Sequence, residues 1–334
     1  MIARIFGGIP ARGRILGALA IVVLALLPLV VDRYIVSVLV LVFAAAYLGQ
    51  AWNIMMGFAG QLSLGHALYV GLAAYASAAL FVHFGVGPWA GAFVGMAIAA
   101  AFAAAIGFLG FRFGIEGVHF ALLTIAFAEF TRIGFDHIAW TGGAAGFFIP
   151  VSQARFDLLN LRGGPTMWYY VMLGLMLAAL ALCRFLARSR VGYYWLAIRE
   201  DPEAARALGI DIFRYKMIAV VLSAAMTALG GVFTAFYYNG LFPERVFSID
   251  RSIELILAPI VGGLGTLLGP IVGAFILTPV GETLISVLEH LGIAVPGAKQ
   301  IFYGLVLLAI IWLRPDGVWP WLARRLGLAE GEGK

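Results

Sequence analysis

The chain has 334 residues, of which 63% are hydrophobic and only 12% are charged. Soluble domains carry roughly 25% charged residues, and the mean hydropathy of +1.00 excludes a water-soluble enzyme of this length. The apolar runs are continuous and do not alternate with period two, which argues against a transmembrane β-barrel. We therefore expect an all-α polytopic membrane protein. Its net charge of +5 is assigned to loops beside anionic lipid head groups and not to nucleic-acid binding.

Apolar runs of roughly 20 residues, the length that spans a bilayer, recur about ten times. The predicted spans are 15–31, 34–56, 63–82, 88–110, 118–135, 166–187, 215–238, 252–268, 269–289 and 298–313. Glycines interrupt some runs, so we expect some broken or short helices. Ten crossings place both termini on one side, and about twice as many of the 22 basic residues fall on that side. The positive-inside rule then predicts that both termini are cytoplasmic.

Three segments outside the predicted spans are long enough to carry function. Residues 136–165 and 239–251 form two outer loops, of which the first is rich in glycine. Residues 188–214 form an inner loop that is dense in charge. We interpret 1–334 as a single transmembrane domain that carries these three segments.

The chain lacks the patterns of common catalytic sites. Its only Gly-Lys pair is Gly333-Lys334, so it has no P-loop, which needs Gly-Lys followed by Ser or Thr. The five histidines have no ligand-spaced pair and Cys183 is the only cysteine, so we expect no metal site. No Gly-x-Ser-x-Gly motif appears. We expect no catalytic residue and no cofactor in this chain, and its energy source must be a partner or an ion gradient.

The inner loop contains the signals of a short helix. Asp201 can cap the first free amides, Pro202 fits the first helical position and Glu203 favours the positive end of the helix dipole. Gly209 can close the helix in the left-handed conformation. Three residues are predicted to form a small apolar face: Ala204, Ala205 and Leu208. Such a helix either lies on the lipid surface as a linker or docks a soluble partner.

Glycines break two apolar runs in opposite halves of the chain, which suggests a pseudo-symmetric solute pathway. Tight packing between helices is the alternative reading. The candidate pathway residues, including the polar side chains placed to contact a solute, are Gly57, Gly60, Gln61, Ser63, Gly65, His66, Gly262, Gly263, Gly265 and Thr266.

Glu129, Glu254 and Glu282 are carboxylates that fall in or near the predicted spans. An unpaired carboxylate is costly in hydrocarbon, so each should face protein or water. Glu129 and Arg132 are three residues apart on one helix and can pair. We favour structural pairing over a proton relay.

Several motifs resemble a known transporter family. Glu203-Ala204-Ala205 followed by Gly209 resembles the EAA-x-x-x-G motif of ABC-importer permeases, although the Leu-Pro found downstream in that family is absent. Longer blocks are similar to LivM-type permeases for branched-chain amino acids, and more so than to LivH: Gly57–Ala67, Ala197–Asp201, Ala207–Ile210 and Gly262–Pro270, with Thr141-Gly142-Gly143.

This resemblance implies a multi-subunit importer in the bacterial inner membrane. The partners would be a second, LivH-like permease, two ABC ATPase subunits that bind ATP and Mg, and a periplasmic solute-binding protein. The short helix would then be the coupling helix that contacts an ATPase, through Asp201, Glu203, Ala204, Ala205, Leu208 and Gly209.

The outer loops would receive the binding protein in such an importer. The charges offered for docking are Arg155, Arg162, Glu244, Arg245 and Asp250. The expected solute is a small, largely apolar amino acid, while the same family also includes carriers of urea, amides and aromatic acids. A proton- or sodium-coupled secondary transporter is the alternative mechanism.

Overall fold

The chain folds into helices joined by short loops. The computed structural model describes residues 11–150, 156–292 and 297–327. Its α-helices are α1 (Ala11–Leu26), α2 (Arg33–Asn53), α3 (His66–Phe84), α4 (Pro88–Arg112), α5 (Gly117–His137), α6 (Pro165–Ala187), α7 (Arg190–Glu200), α8 (Pro202–Ala207), α9 (Ile212–Tyr238), α10 (Pro243–Val246), α11 (Ile249–Gly262), α12 (Gly269–His290), α13 (Ala298–Leu313) and α14 (Val318–Arg325). A π-helical turn, Ile54–Phe58, continues α2, and 3-10 turns occur at Leu27–Leu29, Ala139–Thr141 and Gly143–Ala145.

Short antiparallel strand pairs occur in the loops that follow α5 and α9. The strands are β1 (Phe147–Phe148), β2 (Phe156–Asp157), β3 (Arg162–Gly163) and β4 (Gly240–Leu241). β1 pairs antiparallel with β4 and β2 with β3, with Phe147 opposite Leu241 and Phe156 opposite Gly163. Each strand has two residues, so neither pair forms a layer of the fold. The predicted all-α membrane class is confirmed.

The described helices give fewer clear spans than the ten predicted. By length and composition, seven can cross a bilayer: α2 with its π-helical turn, α3, α4, α5, α6, α9 and α12. The pair α13 and α14, bent by 52°, brings the number to as many as eight. The protein is therefore polytopic, while a count of ten and the side of the termini stay predictions.

Two predicted spans account for the difference between ten and eight. The run 15–31 forms a shorter apolar helix, Ile15–Leu29. The run 252–268 is helical only as far as Gly262, because Gly263 and Gly265 adopt φ of +126° and +75°, which a right-handed helix does not contain.

The chain divides into two compact units. The middle unit comprises Ala51–Gly164 and Ser189–Ile256, and the terminal unit comprises Met1–Gln50, Pro165–Arg188 and Leu257–Lys334.

The middle unit is built on α3, α4 and α9, which pack through small residues. A Cβ atom at Gly231 would lie 2.7 Å from the Cα atom of Val70, and one at Gly95 would lie 2.9 Å from that of Ala73. Small residues that bring backbones together are typical of helix packing in membranes, where van der Waals contact replaces the hydrophobic effect. Glycines on α4 and α9 therefore set the spacing of these helices.

The terminal unit contains an equally close crossing between α11 and α12. Cβ atoms at Gly262 and Gly273 would collide with the backbone carbonyls of Gly269 and Ala258. An apolar cluster formed by four buried side chains packs beside it: Leu257, Val261, Leu277 and Tyr303. The glycines of this predicted helix break thus have a packing role.

Replacing Gly231 with alanine tests the close packing in the middle unit. The added Cβ meets the backbone of Val70, which cannot move without displacing α3, so we expect a loss of roughly 1–3 kcal/mol in stability. Gly134→Ala on α5 is the matched control, since nothing lies within 4 Å of a Cβ there. Thermal unfolding of the purified variants in detergent measures the difference. Equal melting temperatures for the two variants would contradict the packing argument.

Candidate functional site

A short capped helix, α8, lies in the charged segment 188–214. Asp201 Oδ1 accepts hydrogen bonds from the backbone N–H groups of Glu203 at 2.9 Å and Ala204 at 3.0 Å. Pro202 takes the first position, and Gly209 adopts φ of +81° beyond the end. The predicted cap, the predicted first position and the left-handed closure are confirmed, and the helix spans Pro202–Ala207.

The apolar residues of α8 point in two directions. Ala205 is buried against Ile198 and Ile212. Ala204 is exposed, and Leu208 is 81% exposed. Adjacent residues of an α-helix do not share a face, so the prediction of one common apolar face was wrong. Ala205 anchors the helix, whereas Ala204 and Leu208 face outward.

Helix α7 and the start of α9 hold α8 in place. Trp195 on α7 is fully buried and donates its Nε1–H to the carbonyl oxygen of Tyr215 on α9 at 2.8 Å. Ser189 caps α7 by accepting a hydrogen bond from the N–H of Gly192. We call residues 189–215 the α7–α8 module. The module contains two helices that pack on the start of α9. The sequence had predicted a charged loop containing one helix.

The first group of predicted pathway residues forms the break between α2 and α3. After the π-helical turn, Gly60 adopts φ of +70°, and α3 begins at His66. Gly65 packs against the backbone of Thr124, so closely that a Cβ would collide with it. The N–H of Leu64 donates to Thr124 Oγ1 at 3.1 Å. The break is thus a defined turn between two helices.

The polar side chains at this break are engaged within the middle unit. His66 is fully buried, with Nδ1 3.1 Å from Ser63 Oγ and Nε2 2.9 Å from Ser223 Oγ. Since the Ser223 hydroxyl donates to the carbonyl oxygen of Ala51 at 2.7 Å, it accepts from His66, which therefore carries its proton on Nε2. Gln61 donates to the nearby Ala59 carbonyl.

The second group of predicted pathway residues forms the turn between α11 and α12 in the terminal unit. Thr266 Oγ1 donates to the Gly263 carbonyl oxygen at 2.7 Å and accepts from the N–H of Gly269 at 3.0 Å. Gly263 and Gly265 supply the positive φ angles that this turn requires. The structure explains both groups as helix breaks, and their contact with a solute stays a prediction.

The predicted docking charges differ in accessibility. Arg155 lies outside the described residues. Glu244, Arg245 and Asp250 are exposed, as docking requires.

Arg162 is buried, which contradicts its predicted role as a surface charge. It donates to Asn239 Oδ1 at 2.8 Å and stacks over the ring of Phe81, with its Cζ atom 5.3 Å from the centroid. Burial lowers the pKa of its guanidinium. Arg162 therefore joins the end of α9 to a loop.

Glu129, Glu254 and Glu282 are each paired with a basic side chain. Arg132 bridges Glu129 at 2.6 Å and Asp136 at 2.9 Å. Glu254 pairs with Arg251 at 3.0 Å. Glu282 pairs with Lys299, also at 3.0 Å. The predicted pairing of Glu129 with Arg132 is confirmed.

Two long-range contacts were not anticipated from the sequence. Arg199 Nη1 donates to the Gly57 carbonyl oxygen at 2.6 Å. Lys216, which is buried, pairs with Glu116 at 2.6 Å. A charged residue inside a long apolar run, as Lys216 is, indicates a buried partner without naming it. Neither contact has a local sequence signal, because each joins segments at least 100 residues apart.

Comparison with known proteins places the chain in a family. Residues 34–311 match the family described as "Branched-chain amino acid transport system / permease component". The chain is 29% identical to the high-affinity branched-chain amino acid transport system permease protein LivM of Escherichia coli (strain K12), over 94% of this chain and 77% of LivM. No solved structure matches it.

Shorter stretches match other permeases. LivH of Salmonella typhimurium is 30% identical over 46% of this chain and 47% of its own length. The autoinducer 2 import system permease protein LsrC of Klebsiella pneumoniae is 30% identical over 44% of this chain and 43% of its own length. The broader coverage by LivM supports the LivM-type resemblance inferred from the motifs. The chain is therefore a LivM-type member of the family of permease components of branched-chain amino acid transport systems.

Proposed function

We propose that the chain is a membrane-spanning subunit of an ATP-driven ABC importer that carries branched-chain or similar small amino acids. The observation that carries this proposal is the capped helix α8, which is packed through Ala205 and leaves Leu208 and Ala204 exposed. A helix of six residues is not stable alone. Its outward apolar side chains suit a soluble partner that buries them.

That partner is an ABC ATPase in this proposal. The chain has no P-loop, so ATP and Mg would be bound in two separate ATPase subunits. A second, LivH-like permease would complete the membrane part. The resemblance of Glu203-Ala204-Ala205 and Gly209 to the importer motif supports the assignment of α8 as the coupling helix.

The charge pattern supports an orientation in the bacterial inner membrane. With ten crossings and both termini in the cytoplasm, the α7–α8 module faces the cytoplasm, where an ATPase is available. Loops 136–165 and 239–251 then face the periplasm. Exposed Glu244, Arg245 and Asp250 offer charges of both signs to a solute-binding protein there.

The proposed pathway suits a solute that is bound weakly. Ser63, His66 and Thr266 already use their polar atoms in hydrogen bonds within the protein. A solute passing these breaks would compete with these existing hydrogen bonds. A strongly charged solute would find few free polar groups to replace its water, so it would be a poor substrate. The partial likeness to LsrC makes solutes other than amino acids worth testing.

An ion-coupled secondary transporter is the alternative. It would need a carboxylate that gains and loses a proton or binds sodium during transport. Glu129, Glu254 and Glu282 each lie in an ion pair with a basic side chain, so coupling through any of them would first require that pair to break. This arrangement favours ATP as the energy source.

Reconstitution into sealed vesicles tests the energy source and the solute together. The assembly contains this chain, the second permease, the ATPases and the binding protein. We expect leucine to accumulate with ATP present and a protonophore added, since no ion gradient is needed. Accumulation driven by a proton or sodium gradient without ATP would instead support the secondary transporter. Transport of urea or an aromatic acid in place of leucine would change only the substrate.

Substitution of Gly209 tests the coupling helix. Valine at φ of +81° is strained by about 1–2 kcal/mol, so Gly209→Val should distort the end of α8 and lower uptake roughly tenfold. Asparagine tolerates the left-handed conformation, so Gly209→Asn is the matched control and should retain most uptake. Uptake and ATPase association are measured in the same vesicles. Normal uptake by Gly209→Val would remove α8 from the coupling role.

Charge reversal tests docking on loop 239–251. Glu244→Lys combined with Arg245→Glu keeps the net charge but inverts the local pattern, so binding-protein-stimulated ATPase activity should fall at low salt. The defect should shrink near 1 M salt, where the Debye length is about 3 Å. The unstimulated rate is the internal control. If stimulation at low salt equals that of the unmodified chain, the docking surface lies elsewhere.

A further inference from the structure

Arg199 connects two parts of the middle unit that are far apart in sequence. It is the penultimate residue of α7, two positions before the cap of α8. Its Nη1 donates to the carbonyl oxygen of Gly57 at 2.6 Å, across 142 residues. Its Nε and Nη2 lie 3.2 and 2.8 Å from Glu200 Oε1. The guanidinium thus connects the α7–α8 module to the π-helical turn that contains Gly57.

This contact completes the hydrogen bonding of that helix end. The last carbonyls of a helix have no partner within it. Three of these carbonyls accept hydrogen bonds from backbone N–H groups of the residues that follow. The carbonyl of Ile54 accepts from Ala59 at 3.3 Å, that of Met55 from Gln61 at 2.9 Å and that of Met56 from Gly60 at 3.0 Å. The next carbonyl, that of Gly57, is satisfied by Arg199. The positive guanidinium also complements the negative end of the helix dipole.

Gly60 adds a second point of contact with the same side chain. A Cβ atom at Gly60 would lie 2.9 Å from Arg199 Cγ and 3.4 Å from its Cα. The stem of Arg199 therefore packs on the backbone of Gly60 while its head binds Gly57. Two points of contact fix both the distance and the direction between α7 and the break before α3.

Both ends of this connection have properties suited to transmitting movement. At one end, Ile198, next to Arg199, packs with Ala205 of α8 and Ile212 of α9, so a displacement of α8 reaches α7 through packed side chains. At the other end lies the π-helical turn Ile54–Phe58. Such turns are rare and are frequently found at functional sites.

We propose that Arg199 is a positioning residue that transmits movement of the coupling helix to the break between α2 and α3. The proposal rests on the proposed function, in which α8 contacts the ATPase and this break belongs to the solute pathway. When α8 moves, α7 moves Arg199 with it, and the hydrogen bond to the Gly57 carbonyl moves the π-helical turn Ile54–Phe58. Without the bond, ATP hydrolysis continues but is not converted into uptake.

The experiment measures solute transported per ATP hydrolysed in the reconstituted complex with leucine. Arg199→Met keeps the length of the stem and removes the donor, so the ratio should fall roughly tenfold, which corresponds to about 1.4 kcal/mol. Arg199→Lys keeps a charged donor but lacks the planar guanidinium. Its ratio should lie between that of the unmodified chain and that of Arg199→Met. Arg190→Met, an exposed residue at the start of the same helix, is the matched control and should keep the normal ratio.

This readout separates transmission from a purely structural role. A residue that only stabilised the fold would lower the amount of assembled complex and reduce both rates together, leaving the ratio unchanged. A normal ratio in Arg199→Met, or an equal fall in Arg190→Met, overturns the proposal. If Arg199→Met does not assemble, a normal ratio in Arg199→Lys overturns it. Failure of the unmodified complex to use ATP for uptake would instead overturn the proposed function and, with it, this proposal.

Discussion

A helix that ends in the buried part of a membrane protein leaves backbone groups that need new partners, and each buried group left without one costs several kcal/mol. This constraint governs the break between α2 and α3. The chain meets it with side chains drawn from distant helices: Arg199 on the Gly57 carbonyl, Thr124 on the N–H of Leu64 and Ser252 on the N–H of Ala67. The break can exist only where α5, α7 and α11 bring these donors and acceptors to it. Its geometry is therefore coupled to the packing of the middle unit.

The turn between α11 and α12 meets the same constraint by local means. Thr266 satisfies both a carbonyl and an amide within six residues, and glycines supply the remaining geometry. The turn also packs on α14, since a Cβ atom at Gly263 would lie 2.9 Å from Pro320 Cδ. The two breaks look alike in sequence, as glycines within apolar runs, yet their hydrogen-bond partners differ. The first draws side-chain partners from distant helices, whereas Thr266 supplies them within the second.

The sequence predicts features that depend on neighbouring residues better than features that depend on distant contacts. Apolar run length predicts most of the helices, and capping chemistry predicts Asp201 and Gly209, because both effects act over a few residues. The inward position of Ala205, the burial of Arg162 and the bond from Arg199 to Gly57 depend on which distant surfaces meet, and no local pattern records that. The end of the predicted span 252–268 was misplaced for a related reason. Hydrophobicity continued past Gly262, whereas backbone conformation ended the helix there.

Hydrogen-bonding capacity links these observations to the proposed transport role. At the first break the hydroxyl, imidazole and amide groups of Ser63, His66 and Gln61 are already occupied, and the carboxylates near the spans are paired with basic residues. A pathway lined by such groups would offer a solute little binding energy. In the proposed importer, movement is imposed from outside the apolar helices. In the middle unit, Arg199 joins the α7–α8 module to a helix break, and it is through this contact that an external cycle of ATP hydrolysis would reach the proposed pathway.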